Sequence, residues 1–159
     1  MFDFLKKKDK GIEIAPVKGK AVPISQVSDP TFGEEILGKG VAIQPADGKI
    51  YAPADGTIEM LFDTKHAVSM TTTEGVELIV HIGLDTVALK GEHFTAHKGN
   101  GDAVKKGDLL ISVDLEAVKA AGYDVITPMV VCNTSDYQTV EAVTGSDVNP
   151  GDTVLILKK

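Results

Sequence analysis

Residues 66–83 read HAVSMTTTEGVELIVHIG: two short runs of strand-forming residues joined by a polar loop. Val, Ile and Thr are common in both runs, and Glu74-Gly75 is a turn signal, so the segment reads as a β-hairpin. If Thr72 to Gly75 form the loop, the same register sets His66 opposite His81. Opposed residues in an antiparallel pair hold their Cβ atoms about 4.5–5.5 Å apart, so the two rings can hydrogen-bond or share a ligand. Alternation then puts Val76, Leu78, Val80 and Ile82 on a core face, and Ile79 and His81 on the other, joined across the ladder by His66 and Val68. A slip of one residue would break this arrangement.

Working outward, the chain from about Gly11 onward is a succession of short strand-like pieces, among them KGVAIQP, LLISVD, MVVCN and TVLILKK. Turn signals such as ADGK, ADGT, KKGD and NPGD separate them. Two pieces read as helical: one or two turns after Asp29, and DLEAVKAAG, with Asp114 as N-cap and Gly122 as stop. Val104-x-x-Gly107-Asp108 recurs as Val148-x-x-Gly151-Asp152, a hint of a duplicated β motif. The expected architecture is all-β, a sandwich or barrel.

At 159 residues the chain is long enough for one domain with a substantial core, here residues 11–159 after a tail at 1–10. A net charge of −7 argues against a nucleic-acid partner, which needs clustered Lys and Arg. No apolar run approaches the roughly 20 residues of a membrane span. A single cysteine, Cys132 in PMVVCN, excludes an internal disulfide and reads as a small buried hydrophobe. No secretory signal is present, so the expected location is cytoplasmic. The tail MFDFLKKKDK reads either as a frayed, solvated segment or as a weak membrane-surface tether through its apolar and lysine side chains.

Two facing imidazoles admit three readings. One ring could take a phosphoryl group while the other donates hydrogen bonds to it, because a neutral ring nitrogen is nucleophilic near pH 7. The two rings could instead ligate zinc, or serve packing alone. His93 and His97, in GEHFTAHKG, read as surface residues on strand and loop.

The stretches PVKGKAVPISQVSDPTFGEEILGKGVAIQP, APADGTIEMLFDTKHAVSM, GVELIVHIGLDTVALKGEHF, GDAVKKGDLL and TPMVVCN, in this order, closely resemble the glucose-family enzyme IIA proteins of the bacterial phosphoenolpyruvate-dependent sugar phosphotransferase system. The resemblance implies a β-sandwich of the duplicated hybrid motif type and a transient phosphohistidine at His81. The donor would be the phosphocarrier HPr and the acceptor a cysteine of a sugar-specific IIB domain. By the same resemblance His66 stabilises the phosphoryl oxygens, Thr64 orients His66, and the Gly83 carbonyl orients His81.

Family position further implies a partner-binding surface of Phe32, Ile36, Leu37, Phe62, Val68, Ile79 and Val87, with Asp29 and Asp85 at its rim. It implies a monomer without cofactor or resident metal, His66 and His81 ligating zinc only in a partner complex. Three rivals stand beside it. A lipoyl or biotinyl carrier would use Lys65, but Lys65 reads as mid-strand and such domains are about half this length. A zinc peptidase lacks its H-x-H pair. The third is a regulatory binding protein of the same fold.

Overall fold

A computed structural model describes residues 10–159, with side chains from Glu13 onward. The tail expected at residues 1–10 and its membrane contact lie outside the described residues, except that Lys10 opens the first strand. An eight-stranded antiparallel sheet runs in the order β13 (Asp147–Val148), β2 (Gly19–Pro23), β3 (Lys39–Pro45), β11 (Thr127–Val131), β7 (Glu77–His81), β6 (Ala67–Thr72), β5 (Gly56–Leu61) and β9 (Ala103–Val104). Two three-stranded sheets complete the sandwich. One is β1 (Lys10–Ile14), β14 (Thr153–Lys158) and β12 (Thr139–Ala142); the other is β4 (Lys49–Tyr51), β10 (Leu109–Val113) and β8 (Phe94–Ala96). Helix is confined to short pieces such as Pro30–Gly33 and Leu115–Ala120, N-capped by the carboxylates of Asp29 and Asp114. No described helix is long and apolar enough to cross a membrane.

The faint repeat of the sequence is an internal duplication visible atom by atom. Lys105-Lys106-Gly107-Asp108 and Asn149-Pro150-Gly151-Asp152 form the same turn, each Asp carboxylate accepting from the N–H three residues back at 2.9 and 2.8 Å. Each Asp carbonyl then accepts from an Ala-Pro segment: Ala52 N–H at 2.8 Å and Ala15 N–H at 2.8 Å. The two Ala-Pro segments cross-link reciprocally, Ile14 N–H to the Pro53 carbonyl and Tyr51 N–H to the Pro16 carbonyl. Three residues after each proline comes a glycine, Gly19 or Gly56, where a Cβ would strike the backbone of Gln44 or Thr71. Strand pairing follows suit: Glu13 opposes Leu155 as Ile50 opposes Ile111, with a register shift at the matching place in both ladders.

Alternation sorts the large sheet into two faces. Val41, Ile43, Leu78, Val80, Met129 and Val131 point into the main core, whereas Ala42, Val130 and Ile79 point to a second cluster with Val22, Ile24, Val27, Phe32, Leu84 and Ile126. The sheet is therefore covered on both sides at β3 and β11, whereas the second face stays partly open at β6 and β7, where Ser69, Ile79 and His81 are half-buried.

Three expectations fail here. Cys132 is exposed, because β11 ends at Val131 and the chain turns away one residue later. Lys65 is not mid-strand: it sits in the turn joining β5 to β6 with a left-handed φ of 59°, its N–H bonded to the Phe62 carbonyl at 2.7 Å. The hairpin register is also shifted by one, for the reason given below. Among charged groups the outlier is Glu13, only 2% exposed; burial, then the nearby Glu74 charge, push its carboxyl up to about 8, against the opposing pull of Lys106.

Candidate functional site

The site forms where β7 ends. Thr72 N–H donates to the Val76 carbonyl at 2.9 Å, and Gly75, at φ 88°, donates to the Thr72 carbonyl at 2.9 Å. The loop is therefore Thr73-Glu74-Gly75, closed by Thr72 and Val76, rather than the expected Thr72 to Gly75. Every pairing shifts by one, so His81 opposes Ala67 instead of His66. His66 precedes the strand and follows the left-handed Lys65, so strict alternation no longer fixes its direction. Its carbonyl still accepts from Ile82 N–H at 2.6 Å, which keeps the two histidines adjacent. The rings lie edge to face with centroids 4.9 Å apart.

One nitrogen of each ring is held. The Gly83 carbonyl lies 2.6 Å from His81 Nδ1. A carbonyl only accepts, so Nδ1 carries the proton and Nε2 keeps its lone pair. Thr64 Oγ1 lies 2.5 Å from His66 Nδ1. Gly83 can present its carbonyl because it has φ 76°; a Cβ there would stand 2.7 Å from the Asp124 carbonyl and 2.8 Å from Thr86 Cγ2. Thr86, fully buried, donates from its hydroxyl to the Ile82 carbonyl at 2.6 Å and pins the same loop. Nothing in the sequence marked Thr86, since a threonine hydroxyl bonds its own backbone in many loops.

Both rings are neutral near pH 7. Burial, followed by the neighbouring His81, lowers His66 from its ordinary 6.5 to about 4. Burial also lowers His81, with the Gly83 carbonyl and then the Asp29 and Asp85 carboxylates pulling the other way. The aromatic residues form the walls: Phe32 sits 5.0 Å from the His81 ring and Phe62 packs edge-on 5.5 Å from His66.

The remaining residues divide between surface and interior. Ile36 is 71% exposed and Val87 52%, with Leu37 exposed and Phe62 and Ile79 half-buried. Asp29 is occupied in capping its helix through Thr31 N–H at 3.0 Å, and Asp85 is exposed. Val68 does not belong to this surface: it opposes Val80 and is buried in the main core, a direct consequence of the shifted register. Phe32 is also buried, in the second cluster, so it meets His81 from within rather than a partner from outside.

The sequence reading missed Met60, which is 48% exposed and opposes Ser69, itself opposite Ile79 on the histidine face. A register shift between Ile58 and Met60 flips its side, and periodicity alone cannot reveal such a bulge. His93 and His97 lie elsewhere, on either side of Phe94–Ala96. Among the described residues no three His, Cys, Asp or Glu side chains gather to hold a metal ion.

The comparisons with known proteins agree with one another. Residues 12–137 match the family described as phosphoenolpyruvate-dependent sugar phosphotransferase system, EIIA 1. The glucose-specific EIIA component of Haemophilus influenzae is 43% identical over 100% of this chain and 99% of its own length. The beta-glucoside-specific EIIBCA component of Bacillus subtilis is 46% identical, but the chain spans only 24% of that larger protein. The solved structure of glucose permease IIA from Mycoplasma capricolum superposes with a TM-score of 0.88 at 37% identity, covering 94% of this chain and 96% of that one. With most of its length matched and its fold shared, this chain belongs to the EIIA 1 family of the phosphoenolpyruvate-dependent sugar phosphotransferase system.

Proposed function

We propose that residues 11–159 act as one cytoplasmic phosphoryl-carrier domain whose acceptor atom is His81 Nε2. The observation that carries this reading is the Gly83 carbonyl at 2.6 Å from Nδ1, which leaves Nε2 as the free lone pair of a neutral ring. That lone pair attacks the phosphorus of phosphorylated HPr; the N–P bond to the HPr histidine breaks and its electron pair returns to that ring. In the second half-reaction the new N–P bond breaks as a thiolate of a IIB cysteine takes the phosphoryl group. Little covalent assistance is needed, so positioning and charge stabilisation decide the rate.

His66 supplies that stabilisation. If Thr64 donates its hydroxyl hydrogen to His66 Nδ1, the proton of the neutral ring sits on Nε2 and is free to meet a phosphoryl oxygen. A neutral donor holds a phosphate less tightly than an imidazolium would, which suits a carrier that must also release. Ile36, Leu37, Met60 and Val87 form an apolar surface for partners, with Asp29 and Asp85 steering cationic side chains to its edge. The sugar served is set by the membrane domain and not by this chain. Its closest functional setting is therefore a monomer meeting HPr and IIB in turn.

The test is incubation with phosphoenolpyruvate, enzyme I and HPr. One acid-labile phosphate per chain is expected in the wild type and none in His81→Ala. Normal labelling of His81→Ala would overturn the assignment.

A further inference from the structure

The internal duplication pairs Glu13 with Ile50, since both lie two residues before an Ala-Pro segment and oppose equivalent strand positions, Leu155 and Ile111. The surroundings pair as well. Ala46 N–H donates to the Lys18 carbonyl at 2.7 Å, and Thr73 N–H donates to the Asp55 carbonyl at 2.9 Å in the matching place. By the same matching the corner around Ile50 has the apolar Val17, Pro45, Ala46 and Pro150, with the charged Lys18 and Asp47 beside them. The corner around Glu13 has Ala54, Thr72, Thr73 and Lys106 at the same positions.

The same backbone therefore makes two different corners. Replacing Val by Ala removes two methyl groups, and replacing Pro and Ala by Thr brings hydroxyls. A cavity of about 110 Å³ lies at the Glu13 corner, lined also by Asp55 and Glu74. Glu13 is 2% exposed, and its Oε2 has no hydrogen-bond partner among the described residues. A buried carboxylate oxygen without a partner is costly, and Ile50 shows that the fold accepts an apolar side chain there. The acid is therefore not required by the architecture.

We propose that this cavity is a binding site for a small monovalent cation, with Glu13 as its charged ligand. The charge balance selects the class: Asp55, Glu74 and Glu13 line the cavity against one ammonium, Lys106, and Glu13, which burial keeps protonated near pH 7 in the empty cavity, releases its proton to the solvent as the ion enters. Anions are repelled. The three carboxylates line the cavity without converging on one point, so a divalent ion, which wants several carboxylate ligands at once, is disfavoured. Thr72 and Thr73 line the same cavity and bring neutral hydroxyl oxygens, that of Thr72 also accepting from Val76 N–H at 3.0 Å.

The test is thermal unfolding of the full chain in KCl, NaCl or NH₄Cl, each balanced with choline chloride to fixed ionic strength. At tenfold excess over Kd, at least one inorganic cation should raise Tm by roughly 3–6 °C, saturably, over choline alone. The rise should vanish in Glu13→Gln. Glu13→Ile, which copies the Ile50 corner, should fold and be indifferent to the cation. Equal Tm in all salts, as for a cavity that holds only water, would overturn the proposal. So would a cation-specific rise that persists in either variant.

Discussion

The chain places its four histidines in two regions, and they share nothing but the side chain. His66 and His81 lie at the middle of the eight-stranded sheet, their rings 4.9 Å apart, one nitrogen of each held by a backbone carbonyl or a hydroxyl. His93 and His97 flank β8; His97 is exposed and bonds Ser112 Oγ at 2.8 Å, while His93 lies 3.8 Å from the Glu92 carboxylate. In the first region burial and fixed partners determine which nitrogen is free. In the second, His97 is open to water and His93 half-buried, and among the described residues neither ring meets the other or a backbone carbonyl that would fix it. Reactivity is thus a property of the surroundings, and spacing along the chain says little about it: four residues separate the inert pair and fifteen the proposed reactive one.

The contrast breaks most sharply at His66. His66→Ala should still accept phosphate from HPr, yet pass it to IIB roughly 10²–10³-fold more slowly, as when one oxyanion donor is lost. Thr64→Val should show the same defect at about tenfold, in keeping with one hydrogen bond. Rapid-quench kinetics of both half-reactions would detect either, and wild-type transfer in His66→Ala would remove that ring from the account.

A smaller effect concerns stability against pH. The folded His66 ring resists a proton until about pH 4, whereas the unfolded ring accepts one near 6.5. Between these values the unfolded chain binds more protons, so stability falls as pH falls, by about 3 kcal/mol at the lower end. Glu13 works the other way, since its raised pKa of about 8 lets the folded chain hold a proton the unfolded chain has lost, so the His66 part is read as the difference between wild type and His66→Gln in urea unfolding from pH 7 to pH 4. The smallest effect is expected for His93→Ala with His97→Ala, which should leave transfer within about twofold of wild type. A large loss there would erase the distinction between the regions.

Much of this was legible in the residues. The strand types, the Asp29 and Asp114 caps and the Val-x-x-Gly-Asp repeat are local signals, and the fold follows them. The hairpin register was not, because TTTEG allows Thr72 to pair with Gly75 or with Val76 and only the Gly75 geometry decides. That single residue moved Val68 from surface to core. Family position put Phe32 on the partner-binding surface, but long-range packing in one cluster with Val130 and Ile126 buries it. Glu13 gave no sign of its burial, since nothing in IEIAP says that the duplicated partner of the acid is Ile50.

The most direct test of the central claim is ¹⁵N and ³¹P NMR of the histidine-labelled protein before and after phosphorylation. The account predicts a neutral His81 with its proton on Nδ1 near pH 7, and phosphorus coupled to Nε2 of that ring afterwards. A proton on Nε2 in the free protein, or phosphorus bonded to Nδ1 or to another residue, would contradict it.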